Sequence, residues 1–388
     1  MTLLTKGNSP FYPGQPVPVE LFAGRREQIQ RIIKRGVEQV SRGKPVAMFI
    51  QGEYGIGKSS IANYIQVLAE KSHHLHGIYA PLGGCSDLND ISLAVLGATI
   101  RSGVFDPRKS EKIKEWLAKY IGKQDLLGGL TLNFEALKSE APALNSPHQM
   151  IDFLREAKNK LDETGVKGIL LILDEINGIT SNAKFAHFIK GLIDANALSP
   201  EPLPLLLMLC GVEERRREMI QKHEPVDRLF DIVEIEAMTA EEMRSFFEKA
   251  YDSVQIKVDE SAMNVLVHHS AGFPKIMHLV GDAAYWLDQD GVIDEDDAVK
   301  AVLIAAEEVG KKYVDQQVYR ALRSEDYRKI LKKIAMVGTP SSMSFRKAEI
   351  VSKLTETEKK KFNNFLILFY IGKTRYFANF SKRSLCLS

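Results

Sequence analysis

Nine consecutive residues, Gly52-Glu53-Tyr54-Gly55-Ile56-Gly57-Lys58-Ser59-Ser60, carry the clearest chemistry in the chain. They follow the apolar run Val46–Ile50 and match G-x-x-x-x-G-K-[ST]. In that pattern glycines let backbone N–H groups converge on phosphate oxygens, a lysine reaches the outer phosphates and a hydroxyl takes a divalent cation. A helix opening at Lys58 adds the favourable end of its dipole to the anion site. Gly52 through Ser60 therefore read as the segment that binds a nucleotide triphosphate, with Lys58 on the β and γ phosphates and Ser59 on Mg²⁺. An ordinary glycine turn is the bland alternative, and it leaves the strand before and the helix after unexplained.

A second group completes the chemistry. The apolar run Gly168–Leu173 ends in Asp174-Glu175. A phosphate-loop ATPase ends a strand with two carboxylates in this way, one beside Mg²⁺ and one beside the attacking water. Asp174 with Ser59 is expected at the metal. Glu175 is expected as general base and Lys58 as the catalytic cation. Asn159-Lys-Leu-Asp162 spells the guanine-reading N-K-x-D, but it lies within a helical pattern ahead of the Asp174 strand. It reads as exposed helix surface, so ATP is expected rather than GTP.

The elements that position these groups alternate. Strand patterns at Val46–Gln51, His76–Leu82, Gly168–Asp174, Leu203–Cys210 and Asp231–Glu236 are separated by helical patterns at Lys58–Glu70, Asp87–Ile100, Lys109–Tyr120 and from Ser146-Pro147 to about Glu163. Such alternation predicts an α/β fold with a parallel five-stranded sheet covered on both faces. A polar amphipathic helix is expected over Arg25–Ser41. Four prolines up to Pro18 predict an extended arm rather than a packed element. Gly128–Phe134 reads as a short strand or a loop, with no role assigned within 101–145. Past Met238 the strands stop, and Thr239-Ala-Glu-Glu242 is a capping box that opens an all-helical unit. The expected divisions are 1–45 for the arm and first helix, 46–238 for the core, 239–311 for a helical lid and 312–388 for a basic tail. In the tail, helices are expected near Glu325–Val337, Phe345–Leu354 and Glu356–Ile371, with a strand at Thr374–Phe380.

Charge is distributed unevenly. Lys311–Ser388 holds 18 Lys and Arg against 6 Asp and Glu, a net of +12, so the chain's overall +2 leaves −10 for the other 310 residues. A basic end on an acidic body points to a polyanion partner for the tail. Phe362, Phe365, Leu366 and Phe369 share one helical stripe, leaving Lys360, Asn363 and Asn364 opposite, with Lys359 and Lys361 flanking. These five polar residues are the expected contacts to double-stranded DNA, cations on phosphates and amides on adenine edges. A solvated basic face on a protein-interaction domain is the alternative.

These stretches resemble the AAA+ and STAND branches of the phosphate-loop ATPases. Phe22-Ala-Gly-Arg25 resembles the box that precedes the phosphate loop in origin-recognition-like and STAND proteins, which implies that Phe22 and Arg25 lie beside the adenine. Gly272-Phe-Pro274-Lys275 resembles the motif at the sensor 2 position, implying nucleotide contacts for Pro274 and Lys275. Cys210-Gly211 occupies the sensor 1 position, and Asp227-Arg228 resembles the arginine-finger position. Arg228 thus reads as a finger acting on a neighbouring subunit, or as a surface arginine. The likeness runs from about Pro16 to Trp286, and the tail resembles the winged helix that follows the lid. Two departures stand out: a non-polar sensor 1, which implies slow or partner-stimulated hydrolysis, and Lys in place of Arg at sensor 2, which cannot make a forked contact. Arg215-Arg-Arg217 reads as a solvated helix start.

The function expected is an ATP-binding and ATP-hydrolysing switch that couples nucleotide state to DNA through the winged helix, in replication initiation, transposition or defence. The alternative is a STAND-like signalling ATPase that oligomerises through protein contacts without nucleic acid; a third reading is a nucleotide-binding scaffold with negligible turnover. ATP, Mg²⁺, double-stranded DNA and self-association or partner ATPase subunits are the expected associates. The composition, 45% hydrophobic and 26% charged, is that of a folded globular chain. No apolar run approaches a membrane span, Met1–Ser9 lacks the layout of a secretory signal, and Cys85, Cys210 and Cys386 have no ligand spacing. A cytoplasmic protein is expected. His73, His74 and His76 share a loop, and His268 and His269 are neighbours on a helix, expected to point apart; none has zinc spacing.

Overall fold

The computed structural model describes residues 6–14, 22–102, 106–121, 144–310, 325–337 and 347–371. Gly128–Phe134 and the expected strand Thr374–Phe380 lie outside them. The chain divides into two compact units, Met1–Val299 and Lys300–Ser388.

In the first unit, α1 (Arg26–Ile32) passes through a π-helical turn (Ile33–Val37) into α2 (Glu38–Ser41). The core then alternates β1 (Val46–Gly52), α3 (Lys58–His73), β2 (Leu75–Pro81), α4 (Leu88–Ile100), α5 (Pro107–Ile121), α6 (Pro147–Leu161), β3 (Gly168–Asp174), α7 (Ala183–Ala197), β4 (Leu205–Gly211), α8 (Glu213–Lys222) and β5 (Asp231–Ile235). Helix starts follow local chemistry. Asp87 and Asp90 form a capping box for α4, and Ser146 caps α6 with Pro147 at its first position.

The five strands are all parallel in the order β2-β3-β4-β1-β5. Every residue of β3 and β4 is buried, as expected where helices cover both faces. Alternate residues feed two cores. Phe49, Leu171 and Leu207 face one side, while Met48, Ile172 and Met208 face α1 and α3 on the other. The parallel register brings the strand tips level: Phe49 and Leu173 both pair with Leu209, and Ile50 pairs with Cys210. Asp174, one residue past Leu173, is therefore delivered to the same sheet edge as the loop that follows β1.

The lid is opened by the capping box of Thr239 and Glu242 and contains α9 (Ala240–Asp252), α10 (Glu260–Ser270) and α11 (Pro274–Leu287), with α12 (Glu295–Val309) following. It also holds a two-residue parallel pair, β6 (Lys257–Val258) and β7 (Val292–Ile293), which the helical reading omitted because runs so short carry no period.

Residues 6–14 correct the expectation of an unpacked arm. Phe11 is buried, meeting Phe246, Tyr251 and His278 edge-on, and it lies so close to Gly281 that a Cβ there would fall 2.3 Å from its ring. Lys6 pairs with Asp288 at 3.0 Å. Within 6–14, Pro10 lies in a bend and Pro13 in a turn, and the aromatic anchor Phe11 between them docks the segment. A second correction concerns His268 and His269, whose rings meet edge-on with centroids 4.9 Å apart rather than pointing apart.

In the second unit, α13 (Glu325–Val337), α14 (Lys347–Lys353) and α15 (Glu356–Ile371) enclose a small core of Ile330, Ile350, Leu354, Phe362 and Phe365. Phe362, Phe365 and Leu366 of the stripe face this core as their spacing predicts, and Thr355 and Glu358 form a reciprocal cap at the start of α15. Among the described residues no helix is long and apolar enough to cross a membrane.

Candidate functional site

The loop after β1 turns through two left-handed glycines, Gly55 (φ 77°) and Gly57 (φ 101°), a conformation that costs a side-chain-bearing residue strain. α3 starts at Lys58, so its first N–H groups open toward the loop. Lys58 Nζ donates 2.8 Å to Gly52 O and 2.8 Å to Glu53 O, and sits 5.6 Å from the ring centre of the exposed Tyr54. Burial lowers the Lys58 pKa, opposed by the carboxylates of Asp174, Glu53 and Glu175. The lysine is thus held at the loop by carbonyl dipoles and nearby acids.

Asp174 is 3% exposed, so the strand end is not a solvent-capped acid. One of its oxygens accepts the Tyr79 hydroxyl, and the other accepts the Glu175 N–H at 2.9 Å. Burial, then Asp174, push the Tyr79 phenol pKa far up, with only Ser59 opposing, so it stays a donor. Tyr79 and Asp174 are thus a bonded pair of oxygens. Glu175 is exposed and has φ 55°, a left-handed backbone unusual for a glutamate and of the kind that clusters at functional sites. Cys210 at the tip of β4 is fully buried, and burial raises its thiol pKa well above the ordinary value.

A small cavity of about 40 Å³ lies between the loop and the lid. Phe22, Ala23 and Arg25 line it from the segment before α1, Ile56, Gly57 and Ser60 from the loop, and Met238, Phe246, Pro274, Met277 and His278 from the lid side. Arg25 is buried with φ 61°; its guanidinium donates to Glu236 O and, at 3.1 Å, to Ile56 O, and its main-chain N–H donates 2.7 Å to Glu242 Oε1. Burial lowers its pKa while Glu242 and Glu236 raise it. Arg25 therefore lines the cavity as a strut joining loop, β5 exit and lid.

Lys275 does not line the cavity. Its N–H donates 3.3 Å to Gly55 O, and its side-chain carbons would lie 3.1 Å from a Cβ on Gly55, so α11 begins against the loop itself. Arg228 is exposed on the 3₁₀ turn before β5 and does not line the cavity either. The expectation for Arg215–Arg217 is corrected. Only Arg217 is exposed, while Arg215 bonds Glu218 at 2.8 Å, and Arg216 bonds Gln51 at 3.2 Å and Asp227 at 2.5 Å. Intermediate positions between buried Val212 and Met219 let two of the three turn inward. Sequence reasoning also missed Tyr79 and His278. The signal for His278 was its place four residues after Pro274, one helical turn on the same face.

In the tail, Lys359, Lys360, Lys361, Asn363 and Asn364 are all exposed. Three of them have partners nearby: Lys359 with Glu356 at 2.7 Å, Lys361 with Asp326 at 2.6 Å, and Asn363 with Lys347 at 3.2 Å. No group of three or more His, Cys, Asp or Glu suited to a metal occurs among the described residues.

Residues 21–220, 200 of the 388, match the model of the AAA ATPase domain family. The chain belongs to that family. Solved structures agree on the fold of this AAA ATPase. The Aeropyrum pernix ORC2 protein, solved as ADPNP–ADP complexes, is similar over 94% of this chain and 88% of its own, with 14% identity and a TM-score of 0.58. A Walker-type ATPase of Pyrococcus abyssi is similar at 19% identity and TM-score 0.51, over 89% of this chain and 88% of its own. Cdc6p from Pyrobaculum aerophilum is similar at 11% identity and TM-score 0.50, over 92% and 88%. No curated protein sequence matches the AAA ATPase chain. The sheet order and the loop after β1 are those of the P-loop AAA+ fold.

Proposed function

We propose that this AAA ATPase binds ATP with Mg²⁺ between loop and lid, hydrolyses it, and passes the nucleotide state to a DNA-binding winged helix formed by the tail. One observation carries the reading: Lys58, Ser59, Asp174 and Glu175, far apart in sequence, share one sheet edge beside a cavity closed by the lid. Backbone N–H groups of Gly55–Ser60 hold the phosphates, and Lys58 exchanges its loop carbonyls for phosphate oxygens. Phe22, Arg25 and Pro274 frame the base. The carboxylate of buried Asp174 and the hydroxyl of Ser59 at the start of α3 suit a hard cation, so these two residues would hold Mg²⁺. When bound, Mg²⁺ supplies neutralisation of phosphate charge. Glu175, exposed just past the buried strand with its carboxylate beside Gly83, accepts the proton of the attacking water. Cys210 and Gly211 offer that water no polar orientation, so turnover is slow without a partner. Arg228, exposed, serves a neighbouring subunit.

The ADPNP–ADP complexes of the Aeropyrum ORC2 protein support an adenine nucleotide. α11 begins on Gly55 and Arg25 spans to Glu242, which gives loop and lid a shared set of bonds for nucleotide to bias. The segments 1–45, 46–238, 239–311 and 312–388 are the working parts proposed. Calorimetry of Mg-ATP binding to the native chain and to Lys58→Ala tests the reading: micromolar binding by the first and loss of at least tenfold by the second are expected, and equal, negligible heats from both refute it. A second reading, a signalling ATPase that assembles through protein contacts, is favoured by the partners that Lys359, Lys361 and Asn363 already have inside the tail.

A further inference from the structure

His278 stands in the cavity wall with half of its hydrogen-bonding capacity unmet. Its Nδ1 accepts the main-chain N–H of Tyr12 at 3.1 Å, while Nε2 is buried with no partner. The residue is 4% exposed. Phe246 meets the ring edge-on at a centroid distance of 5.0 Å and an interplanar angle of 86°, and Phe11 does so at 6.2 Å and 74°. The imidazole is therefore fixed in place and orientation.

The bond from Tyr12 also fixes its protonation. A nitrogen that accepts from an N–H carries a lone pair, so in the neutral ring the hydrogen belongs to Nε2. Burial lowers the His278 pKa to about 4, so the ring is neutral near pH 7. The result is a buried N–H donor without an acceptor, a group that structures rarely leave unsatisfied. Arg25, the cationic donor lining the same cavity, already gives its guanidinium to Glu236 O and Ile56 O.

A fixed donor distinguishes the two purines. Adenine carries a bare acceptor at ring nitrogen N1, whereas guanine carries a hydrogen there and would set donor against donor. We propose that His278 is the base-selecting residue, donating its Nε2–H to N1 of adenine and rejecting guanine. This rests on the reading of the cavity as the base site of a bound nucleotide. The arm takes part, since Tyr12 sets the tautomer from the main chain, and no substitution of its side chain removes that bond.

The test uses the full chain, calorimetry and four magnesium-bound ligands: ATP, GTP, 1-deaza-ATP, which lacks the acceptor, and 7-deaza-ATP, which keeps it. ATP and 7-deaza-ATP are expected to bind within about threefold of each other, and GTP and 1-deaza-ATP about tenfold to a hundredfold more weakly. In His278→Phe the difference between ATP and 1-deaza-ATP should vanish. Native protein that binds 1-deaza-ATP as tightly as ATP overturns the assignment while leaving the nucleotide reading intact, and so does His278→Phe that keeps the full preference. Absence of heat with all four ligands takes down the nucleotide reading itself and this inference with it.

Discussion

The phenol of Tyr79, on the edge strand β2, donates its hydroxyl hydrogen to the carboxylate of Asp174 at the tip of the neighbouring strand β3. Tyr79 pairs in register with Ile172, two residues before Asp174, so both side chains emerge on the face that packs against α3. Groups of this kind, one bond removed from a metal, orient the ligand that touches it. Tyr79→Phe keeps the ring and removes only the hydroxyl. The Mg²⁺ concentration that half-saturates the effect on ATP affinity should rise about tenfold or more. Affinity for nucleotide in excess Mg²⁺ should change little. Titrating Mg²⁺ against a fluorescent ATP analogue reads both, and unchanged Mg²⁺ dependence counts against Tyr79 as a positioning residue.

Why Asp174 was legible and Tyr79 was not is a matter of range. Gly168–Asp174 announces a buried strand with an acid at its end, and local spacing places Lys58 one glycine turn after another. The partners of Asp174, Arg25 and His278 come from segments about 95, 217 and 266 residues away in sequence. Only the strand order and the docking of the arm decide those neighbours. The same limit explains the arm, where the run of prolines is visible in the sequence but the burial of Phe11 over Gly281 is not.

Glu175 combines a strained backbone with the expected role of base. Glu175→Gln should keep ATP affinity within a few-fold and lower phosphate release by about a hundredfold or more. Glu175→Gly should also abolish turnover, yet raise stability by about 1 kcal/mol as the left-handed conformation becomes free of strain. Opposite movements of stability and turnover in one variant, read by denaturant midpoint and phosphate release, are the signature of strain retained for function.

Arg25 and Glu242 couple loop to lid. Glu242 accepts from Arg25 N at 2.7 Å and from Thr239 N at 3.0 Å, and despite burial these bonds hold its carboxyl below its usual pKa. Arg25→Ala strips the donor from Ile56 O in a buried bond and from Glu236 O in a partly buried one, and should cost about 1–3 kcal/mol. Glu242→Ala loses a cap and should cost about 1–2 kcal/mol. Thermal unfolding with and without ATP separates the two effects. Arg25→Ala should also shrink the ligand-induced rise in Tm, because the strut lies against the cavity.

Two buried histidines set an acid limit. Burial lowers His76 and His278 to about 4 from the ordinary imidazole value of 6.5. Between pH 6.5 and 4 the unfolded chain binds protons that the folded chain refuses, so stability is full above about 6.5 and falls as pH drops through that window. At pH 5 the loss is about 2 kcal/mol per histidine. His76→Gln keeps a partner for Ser102, which lies 2.8 Å from His76 Nε2, and should remove about half of the drop in denaturant midpoint between pH 7 and pH 5. A drop of unchanged size assigns the acid sensitivity elsewhere.

The tail separates the two readings of function through its own ion pairs. Lys361 must leave Asp326 to reach a phosphate, and Lys359 must leave Glu356, but exposed pairs of this kind are weak and exchange readily. Lys360 lies beside them on the exposed face of α15. If duplex DNA is the partner, Lys360→Ala should weaken binding uniformly across sequences and lower the salt slope by about one, while Lys361→Ala, which gives up less, should do so to a smaller degree. Asn364→Ala should instead relax sequence preference with the slope unchanged, since an amide reads base edges and neutralises no phosphate. Fluorescence anisotropy of the full chain at two or more salt concentrations, with and without ATP, reads all three. A slope near zero in the native chain, with the three variants indistinguishable from it, assigns the basic face to a protein partner.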